Sequence, residues 1–147
     1  MSSLPKIFSL RRYPYEETVH HFIVCISDGS NAGSSEFYAD TPSIIEFAER
    51  LINYPKNQKD EVFLEIGEKE DPRYAGYTGL RFYVRDAAGH TVLHVLLINR
   101  GDDLVSSHIE FSFAIEAAAI NRLGGTLKVF ALSDKEEIVV SLKEGMN

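Results

Sequence analysis

The clearest pattern in the chain is a pair of alternating apolar and polar segments on either side of a short polar turn. Residues 80–85 and 90–98 place apolar side chains at every second position, and residues 86–89 lie between them. Because successive side chains of a strand point to opposite faces, this spacing predicts a β-hairpin with one buried face. Pairing across the turn puts six side chains on that face: Leu80, Phe82, Val84, Thr91, Leu93 and Val95. The other face then carries Arg81, Tyr83, Arg85, His90, Val92 and His94.

Further strands are predicted on both sides of this hairpin. Residues 6–39 indicate strands, with a loop at 27–35 and a return strand at 36–39. The alternation at residues 61–66 turns Val62, Leu64 and Ile66 inward, and that at residues 108–115 does the same for Ile109, Phe111, Phe113 and Ile115. Residues 67–79 are expected to form a polar loop that carries Tyr74 and Tyr77. The tail at residues 135–142 favours either a short edge strand or a loosely attached end.

Two helices are predicted. The first opens at residues 40–42, where Asp or Thr caps and Pro takes the first turn, and Pro55 ends it. Its apolar set is Ile44, Phe47, Ala48, Leu51 and Ile52. The second covers residues 117–132, with Gly124 and Gly125 in its middle. Each glycine costs a helix about 1 kcal/mol relative to Ala, so we expect a close packing contact or a kink there.

The order of strands, helix, strands, helix is typical of the α+β class. We expect one domain over residues 1–147, with an antiparallel sheet of about five to six strands and two helices packed on one of its faces. At 147 residues and 44% hydrophobic, the chain is long enough to bury about 70% of its unfolded surface. A disulfide or metal staple is therefore unnecessary.

Charge and cysteine content restrict the classes of partner. The chain has 22 acidic against 15 basic residues and a net charge of -7, which disfavours direct nucleic-acid binding and suits a basic partner or plain solubility. The single Cys25 lies in the apolar run 22–26, where a thiol is expected to be a small buried hydrophobe, and it fits a reducing compartment. No apolar run approaches the ~18 residues of a membrane span, and no export signal is expected. We therefore expect a cytoplasmic protein without a membrane partner.

The residue types needed for metal binding or catalysis do not cluster. His90 and His94 share a strand face but lie roughly 13 Å apart, too far to share one metal. No Cys pair or His-Glu-x-x-His helix completes a metal site, and no Gly-x-Ser-x-Gly elbow supplies a nucleophile. Residues 29–33 form a Gly/Ser loop that lacks the Lys of a P-loop. The expectation is a protein that is not an enzyme and needs no metal or cofactor.

The outer face of the predicted sheet is the remaining candidate site. The side chains expected to project together are Glu61, Phe63, Glu65, Arg81, Tyr83, Arg85, His90, His94, His108 and Glu110. Aromatic and Arg residues among charges are typical anchors of protein interfaces. We take six of them as the candidate partner face: Phe63, Arg81, Tyr83, Arg85, His90 and His94. The alternative is a solvated sheet face whose charges neutralise one another.

Three segments carry a resemblance to known proteins: residues 74–77 (Tyr-Ala-Gly-Tyr), 80–90 (ending Arg-Asp-Ala-Ala-Gly-His) and 111–124. The chain resembles a family of small bacterial proteins marked by a tyrosine-rich loop, a strand ending in Arg-Asp-x-x-Gly-His and a closing helix. The order of elements over residues 22–130 is also similar to immunity proteins of the WapI type. That resemblance implies a cytosolic protein that neutralises a toxin domain by binding it, and it brings no catalytic residues.

Two other functions stay open from the sequence. A small-molecule-binding module or a minor enzyme would use the tyrosines Tyr74 and Tyr77 with His90 or His108. A structural homo-oligomer would instead use the outer sheet face or an edge strand. The leading hypothesis is a non-enzymatic domain that binds a protein, with a basic toxin as the expected partner.

Overall fold

The computed structural model describes residues 4–14, 17–71, 73, 76–101 and 106–143. The elements in chain order are β1 (Lys6–Pro14), β2 (Val19–Asp28), β3 (Ala32–Asp40), α1 (Thr41–Ile52), β4 (Glu61–Gly67), β5 (Gly76–Val84), β6 (Thr91–Arg100), β7 (Ser106–Ala114), α2 (Ala117–Ala131) and β8 (Glu137–Ser141). Sheet A has the order β3-β2-β1-β8 and sheet B the order β4-β5-β6-β7, with every neighbouring pair antiparallel. The α+β class is confirmed, and the strands divide into two sheets of four rather than one sheet of five to six.

The loop expected at residues 27–35 is only a tight turn. The carboxylate of Asp28 accepts hydrogen bonds from the main-chain N–H groups of Ser30 and Asn31, at 2.8 and 2.6 Å. Gly29 has a φ of 99°, in the left-handed region that favours glycine. Because the turn is complete by Asn31, the second half of the expected loop belongs to β3.

One continuous core joins both sheets and both helices. Alternate residues of sheet A supply Phe8, Leu10, Phe22, Val24, Ile26 and Phe37, and alternate residues of sheet B supply Val62, Leu80, Phe82, Leu93, Val95 and Leu97. The helices add Ile44, Phe47, Ala48, Leu51, Ile120, Leu123, Leu127 and Phe130. The buried face predicted for the hairpin is thus confirmed. Cys25 alternates with these core positions and is half-buried on the outer face of sheet A, so its expected burial is wrong.

Strand β3 is where the two sheets meet. Gly33 packs so closely on Ile109 of β7 and Leu97 of β6 that a Cβ atom there would overlap Ile109. Two residues further on, the hydroxyl of Ser35 lies 2.5 Å from that of Thr78 on β5, and both are buried. β3 therefore crosses the inner face of sheet B from β7 towards β4.

Replacing Thr78 with valine is expected to destabilise the protein by about 1–3 kcal/mol, because the buried Ser35 hydroxyl loses its partner. The double variant Ser35→Ala, Thr78→Val removes both hydroxyls and is expected to cost less than the sum of the two single changes. Urea unfolding of the four proteins in this cycle measures the coupling. Additive losses would show that the two hydroxyls do not interact.

Both helices begin and end close to their predicted positions. The side chain of Asp40 accepts a hydrogen bond from the Ser43 N–H at 2.9 Å and caps α1, with Pro42 in the first turn. Helix α2 continues unbroken through Gly124 and Gly125. A Cβ atom at Gly124 would lie 2.7 Å from the Ile52 nitrogen of α1, so the close-contact alternative is the correct one.

The C-terminal segment forms an ordered edge strand. β8 pairs with β1 from Ile7 opposite Ser141 to Arg11 opposite Glu137, which confirms the edge-strand alternative for the tail. Arg12 holds the segment between α2 and β8, because its guanidinium donates hydrogen bonds to the carbonyl oxygens of Ser133 and Lys135. Neither α1 nor α2, the helices of the described residues, is long and apolar enough to cross a membrane.

Candidate functional site

The outer face of sheet B brings four of the six predicted partner-face residues together. The strand register places Phe63, Arg81 and His94 side by side across β4, β5 and β6. Tyr83 lies in the adjacent row, opposite Glu61 on β4. The alternation seen in the sequence therefore predicted this part of the face correctly.

Arg81 is held rigidly at the centre of this face. Its guanidinium lies 4.4 Å from the centroid of the Tyr83 ring, and both Nε and Nη2 are 3.1 Å from the carboxylate of Glu61. The hydrogen bond to Glu61 raises the pKa of Arg81 above its ordinary value. This planar guanidinium makes two hydrogen bonds and lies over an aromatic ring. It therefore loses little further side-chain freedom when a partner covers it.

Phe63 is an exposed aromatic side chain at the margin of the same face. It projects from the edge strand β4 and is 42% exposed. A large apolar ring open to water beside a fixed Arg is the combination found at the centres of protein interfaces. Its position opposite Arg81 makes the two side chains neighbours on the surface.

Arg85 and His90 belong to the turn rather than to the strands predicted for them. β5 ends at Val84 and β6 begins at Thr91, although the N–H of Arg85 still donates to the carbonyl of His90 at 2.7 Å. The cause is Asp86, whose carboxylate lies 2.8 Å from His90 Nδ1 and 3.5 Å from Arg85 Nη2. Both side chains therefore contact the Asp86 carboxylate at the end of the hairpin.

Acid is expected to weaken this turn. The hydrogen bond from His90, followed by main-chain N–H groups, lowers the pKa of Asp86 from 3.8 to about 2. A carboxyl whose folded pKa lies below its unfolded value stabilises the fold above the unfolded value, and this contribution is lost as the pH falls through about 2. We expect Asp86→Asn to flatten the fall of the melting temperature between about pH 5 and pH 2, measured by circular dichroism. Glu70→Gln is the control, and an Asp86→Asn profile parallel to wild type would contradict the prediction.

His94 also lies against a neighbouring carboxylate. Its Nε2 lies 2.6 Å from the carboxylate of Glu110 on the adjacent strand β7. His90 and His94 thus face different carboxylates, Asp86 and Glu110. Among the described residues, no three His, Cys, Asp or Glu side chains are grouped so that they could hold a metal ion.

Sequence reasoning missed a second aromatic row, on the outer face of sheet A. The strand register aligns Tyr13, His21 and Tyr38, and the ring centroids are 5.8 Å apart for the first pair and 4.9 Å for the second. Arg11 lies 5.5 Å from the centroid of Tyr13. The three residues are far apart in sequence, so only the strand order reveals the row.

The tyrosine and histidine set of the small-molecule alternative does not form one site. Tyr74 lies outside the described residues. Tyr77 belongs to β5 rather than to a loop, is buried, and donates a hydrogen bond from its hydroxyl to Glu65 at 2.6 Å. Burial and that hydrogen bond raise the pKa of Tyr77. Tyr77 pairs with Ile98 of β6, and His90, just before β6, is eight residues from Ile98, which is roughly 26 Å. His108 lies opposite Ile98 on β7, two strands from Tyr77 and roughly 10 Å away.

A cavity of about 480 Å³ lies beside His108 on the outer face of sheet B. Its floor includes Leu96 and Ile98, and Lys69 and Arg100 contribute to its walls. Arg100 donates hydrogen bonds to the carbonyl oxygens of Glu68 and Lys69 and so fixes this wall. The cavity combines an apolar floor with two basic groups and the carboxylate of Glu70.

No family model, curated protein or solved structure matches this chain. The similarity to WapI-type immunity proteins therefore stays a prediction.

Proposed function

We propose that this protein is a non-enzymatic, cytoplasmic protein-binding domain that acts by occlusion, and that its partner is a basic protein of the toxin type. The observation that carries the proposal is the fixed Arg81 on Tyr83 beside the exposed ring of Phe63. The resemblance to WapI-type immunity proteins supports an immunity role for this face. The lone Cys25 fits a reducing compartment.

The arrangement of these side chains supports binding over a merely solvated surface. Arg and aromatic residues dominate the energetics of most protein interfaces, and they contribute most where their conformation is fixed in advance. Glu61 fixes Arg81 through two nitrogen atoms, and the guanidinium lies over the ring of Tyr83. A partner that covers this cluster gains contact area at a small entropic cost.

Net charge supports a basic partner. At -7 the protein attracts a positively charged surface over a distance, which raises the association rate at low salt. A toxin that degrades nucleic acid needs cationic groups to hold phosphates, and an acidic inhibitor covers those groups. We therefore expect the complex to form more slowly as salt increases.

Affinity capture with matched variants tests the proposal. Wild type is expected to retain a basic protein from the host lysate, and the purified pair is expected to lose at least about tenfold in affinity with Arg81→Glu, Tyr83→Ala. The control is Arg11→Glu, Tyr13→Ala, which removes a similar Arg and Tyr pair from the outer face of sheet A. Capture of no protein, or a captured partner that binds both variants as tightly as wild type, would overturn the proposal. Inhibition of the partner's activity by wild type completes the test of occlusion.

A second candidate, small-molecule binding, is favoured by the cavity beside His108. Its apolar floor, with Lys69 and Arg100 against the single carboxylate of Glu70, suits a small metabolite that has an apolar body and an anionic group. A metabolite panel is expected to raise the melting temperature of wild type and not that of His108→Ala if this candidate is correct. An unchanged melting temperature throughout the panel would remove it.

A further inference from the structure

Strand β4 leaves a row of main-chain groups open at the edge of sheet B. It pairs with β5 on one side only. In an antiparallel strand the N–H and C=O of one residue point to the same side, and this side alternates along the chain. The carbonyl of Glu61 accepts a hydrogen bond from Arg50 Nη2 at 3.0 Å, so the main-chain groups of Glu61 point away from β5. Those of Phe63 and Glu65 must point the same way.

The other side of β5 leads to the same assignment. The N–H of Arg85 donates to His90, so odd-numbered residues of β5 direct their main-chain groups to β6 and even-numbered residues direct theirs to β4. Phe82 and Leu80 therefore bond Val62 and Leu64 of β4. Within the described part of the chain, the main-chain N–H and C=O groups of Phe63 and Glu65 make no hydrogen bond.

These open groups face a groove rather than flat surface. A groove of about 420 Å³ separates β4 from the end of β3 and the start of α1. Four consecutive residues of β4, Phe63 to Ile66, line it, and at strand spacing they extend over roughly 13 Å. The exposed ring of Phe63 and the 51% exposed ring of Tyr38 stand on opposite walls. An extended segment in this groove would have both backbone partners and aromatic contacts.

The charges around the groove are mainly acidic. Asp40, Glu46 and Glu65 contribute carboxylates, and Arg50 is the basic residue among the lining side chains. Arg50 already donates to Glu61, Asp40 caps α1, and Glu65 accepts from Tyr77. Glu46 makes no ion pair with another described residue. The groove thus favours a positively charged occupant.

We infer that β4 accepts an extended segment of the partner protein, with alternating basic and apolar residues, as a fifth strand of sheet B. This inference rests on the protein-binding role proposed above and names how the partner is held. Main-chain hydrogen bonds to Phe63 and Glu65 supply the pairing, while the ring of Phe63 and the carboxylate of Glu46 select apolar and basic side chains. The strand lies next to the partner face, so one partner can contact both.

Synthetic peptides added to the full chain test the inference. The probe is a fluorescent seven-residue peptide of alternating valine and lysine, with two comparison peptides: one N-methylated at alternate residues, and one with glutamate in place of lysine. The lysine peptide is expected to bind saturably in fluorescence anisotropy, and both comparison peptides at least about tenfold more weakly. Glu46→Lys is expected to weaken the lysine peptide, whereas Glu70→Lys, outside the groove, leaves it unchanged. Equal binding of the N-methylated peptide would overturn the inference.

Amide hydrogen exchange locates the added strand directly. The lysine peptide is expected to slow exchange at the N–H groups of Phe63 and Glu65 at least about tenfold, and to leave Val62 and Leu64 as they are. Protection of Phe63 and Glu65 without peptide, together with a dimer in light scattering, would mean that a second copy occupies the edge and would overturn the inference.

The two proposals fail in different ways. If the captured partner depends on Arg81 and Tyr83 but does not protect the N–H groups of Phe63 and Glu65, the strand addition is wrong and the binding role stands. If the partner is indifferent to Arg81 and Tyr83 as well, both are wrong.

Discussion

The variant Gly124→Ala is expected to lose about 1–3 kcal/mol of unfolding free energy, because α1 and α2 cross with their backbones in contact at this position. An added Cβ atom would lie 2.7 Å from the Ile52 nitrogen and 2.8 Å from the Ala48 carbonyl oxygen. Both atoms belong to the backbone of α1, so they cannot rotate away as a side chain would. The helices must separate, which opens gaps among the core residues between them. Chemical denaturation measures the loss.

The neighbouring glycine is the matched control. A Cβ atom at Gly125 meets nothing within 4 Å, so Gly125→Ala removes only the flexibility of glycine. It is expected to stabilise the protein by about 0.5–1 kcal/mol, since alanine favours the helix. If Gly124→Ala loses no more unfolding free energy than Gly125→Ala, the helix crossing is not as tight as described.

Replacing Arg12 with methionine is expected to cost about 2–4 kcal/mol. Arg12 is 9% exposed, and its Nη2 donates to the carbonyl oxygens of Ser133 and Lys135 at 2.8 and 2.5 Å. Its guanidinium also lies 4.3 Å from the centroid of Phe130. Methionine keeps the apolar stem but leaves two carbonyl groups without their donor and removes the cation from the ring. Thermal and urea unfolding measure the effect.

Arg11 provides the control for this change. It is the next residue along β1, points to the opposite face, and makes an exposed ion pair with Glu137 at 3.4 Å. Arg11→Met is expected to change stability by less than about 1 kcal/mol, because exposed ion pairs contribute little. Equal losses for the two variants would mean that the contacts of Arg12 with residues 133–135 contribute no more to the free energy of unfolding than the exposed ion pair of Arg11.

The strands and helices were predictable because their signals are local. The alternation around residues 80–98 assigned Phe82 and Leu93 to the buried face, and the Asp40 and Pro42 pair located the start of α1. The division into two sheets was not predictable, because alternation states which face is buried but not which strand is the neighbour. The length of the turn at Asp28 was not predictable either, because Gly, Ser and Asn are compatible with turns of several lengths.

The candidate site was predicted only in part, for a related reason. Phe63 and Arg81 could be placed on one face as soon as β4 and β5 were assumed to be neighbours. The salt bridge from Arg81 to Glu61 and the open groove along β4 depend on strand order and on the position of α1, which no local pattern encodes. The Tyr13 and Tyr38 row was missed because it needs the register of three strands at once.

The pairing of β1 with β8 has a consequence for synthesis of the chain. Ile7 lies opposite Ser141, so β1 must wait for a strand that is synthesised much later before sheet A has its fourth member. Contacts between such distant segments form slowly, and until then one edge of β1 is open to wrong partners. On the ribosome, β1, β2 and β3 can assemble early, but the edge of β1 is protected only after residue 141 has emerged. A chaperone that shields this edge of β1 until β8 has paired with it would act on the step most exposed to aggregation.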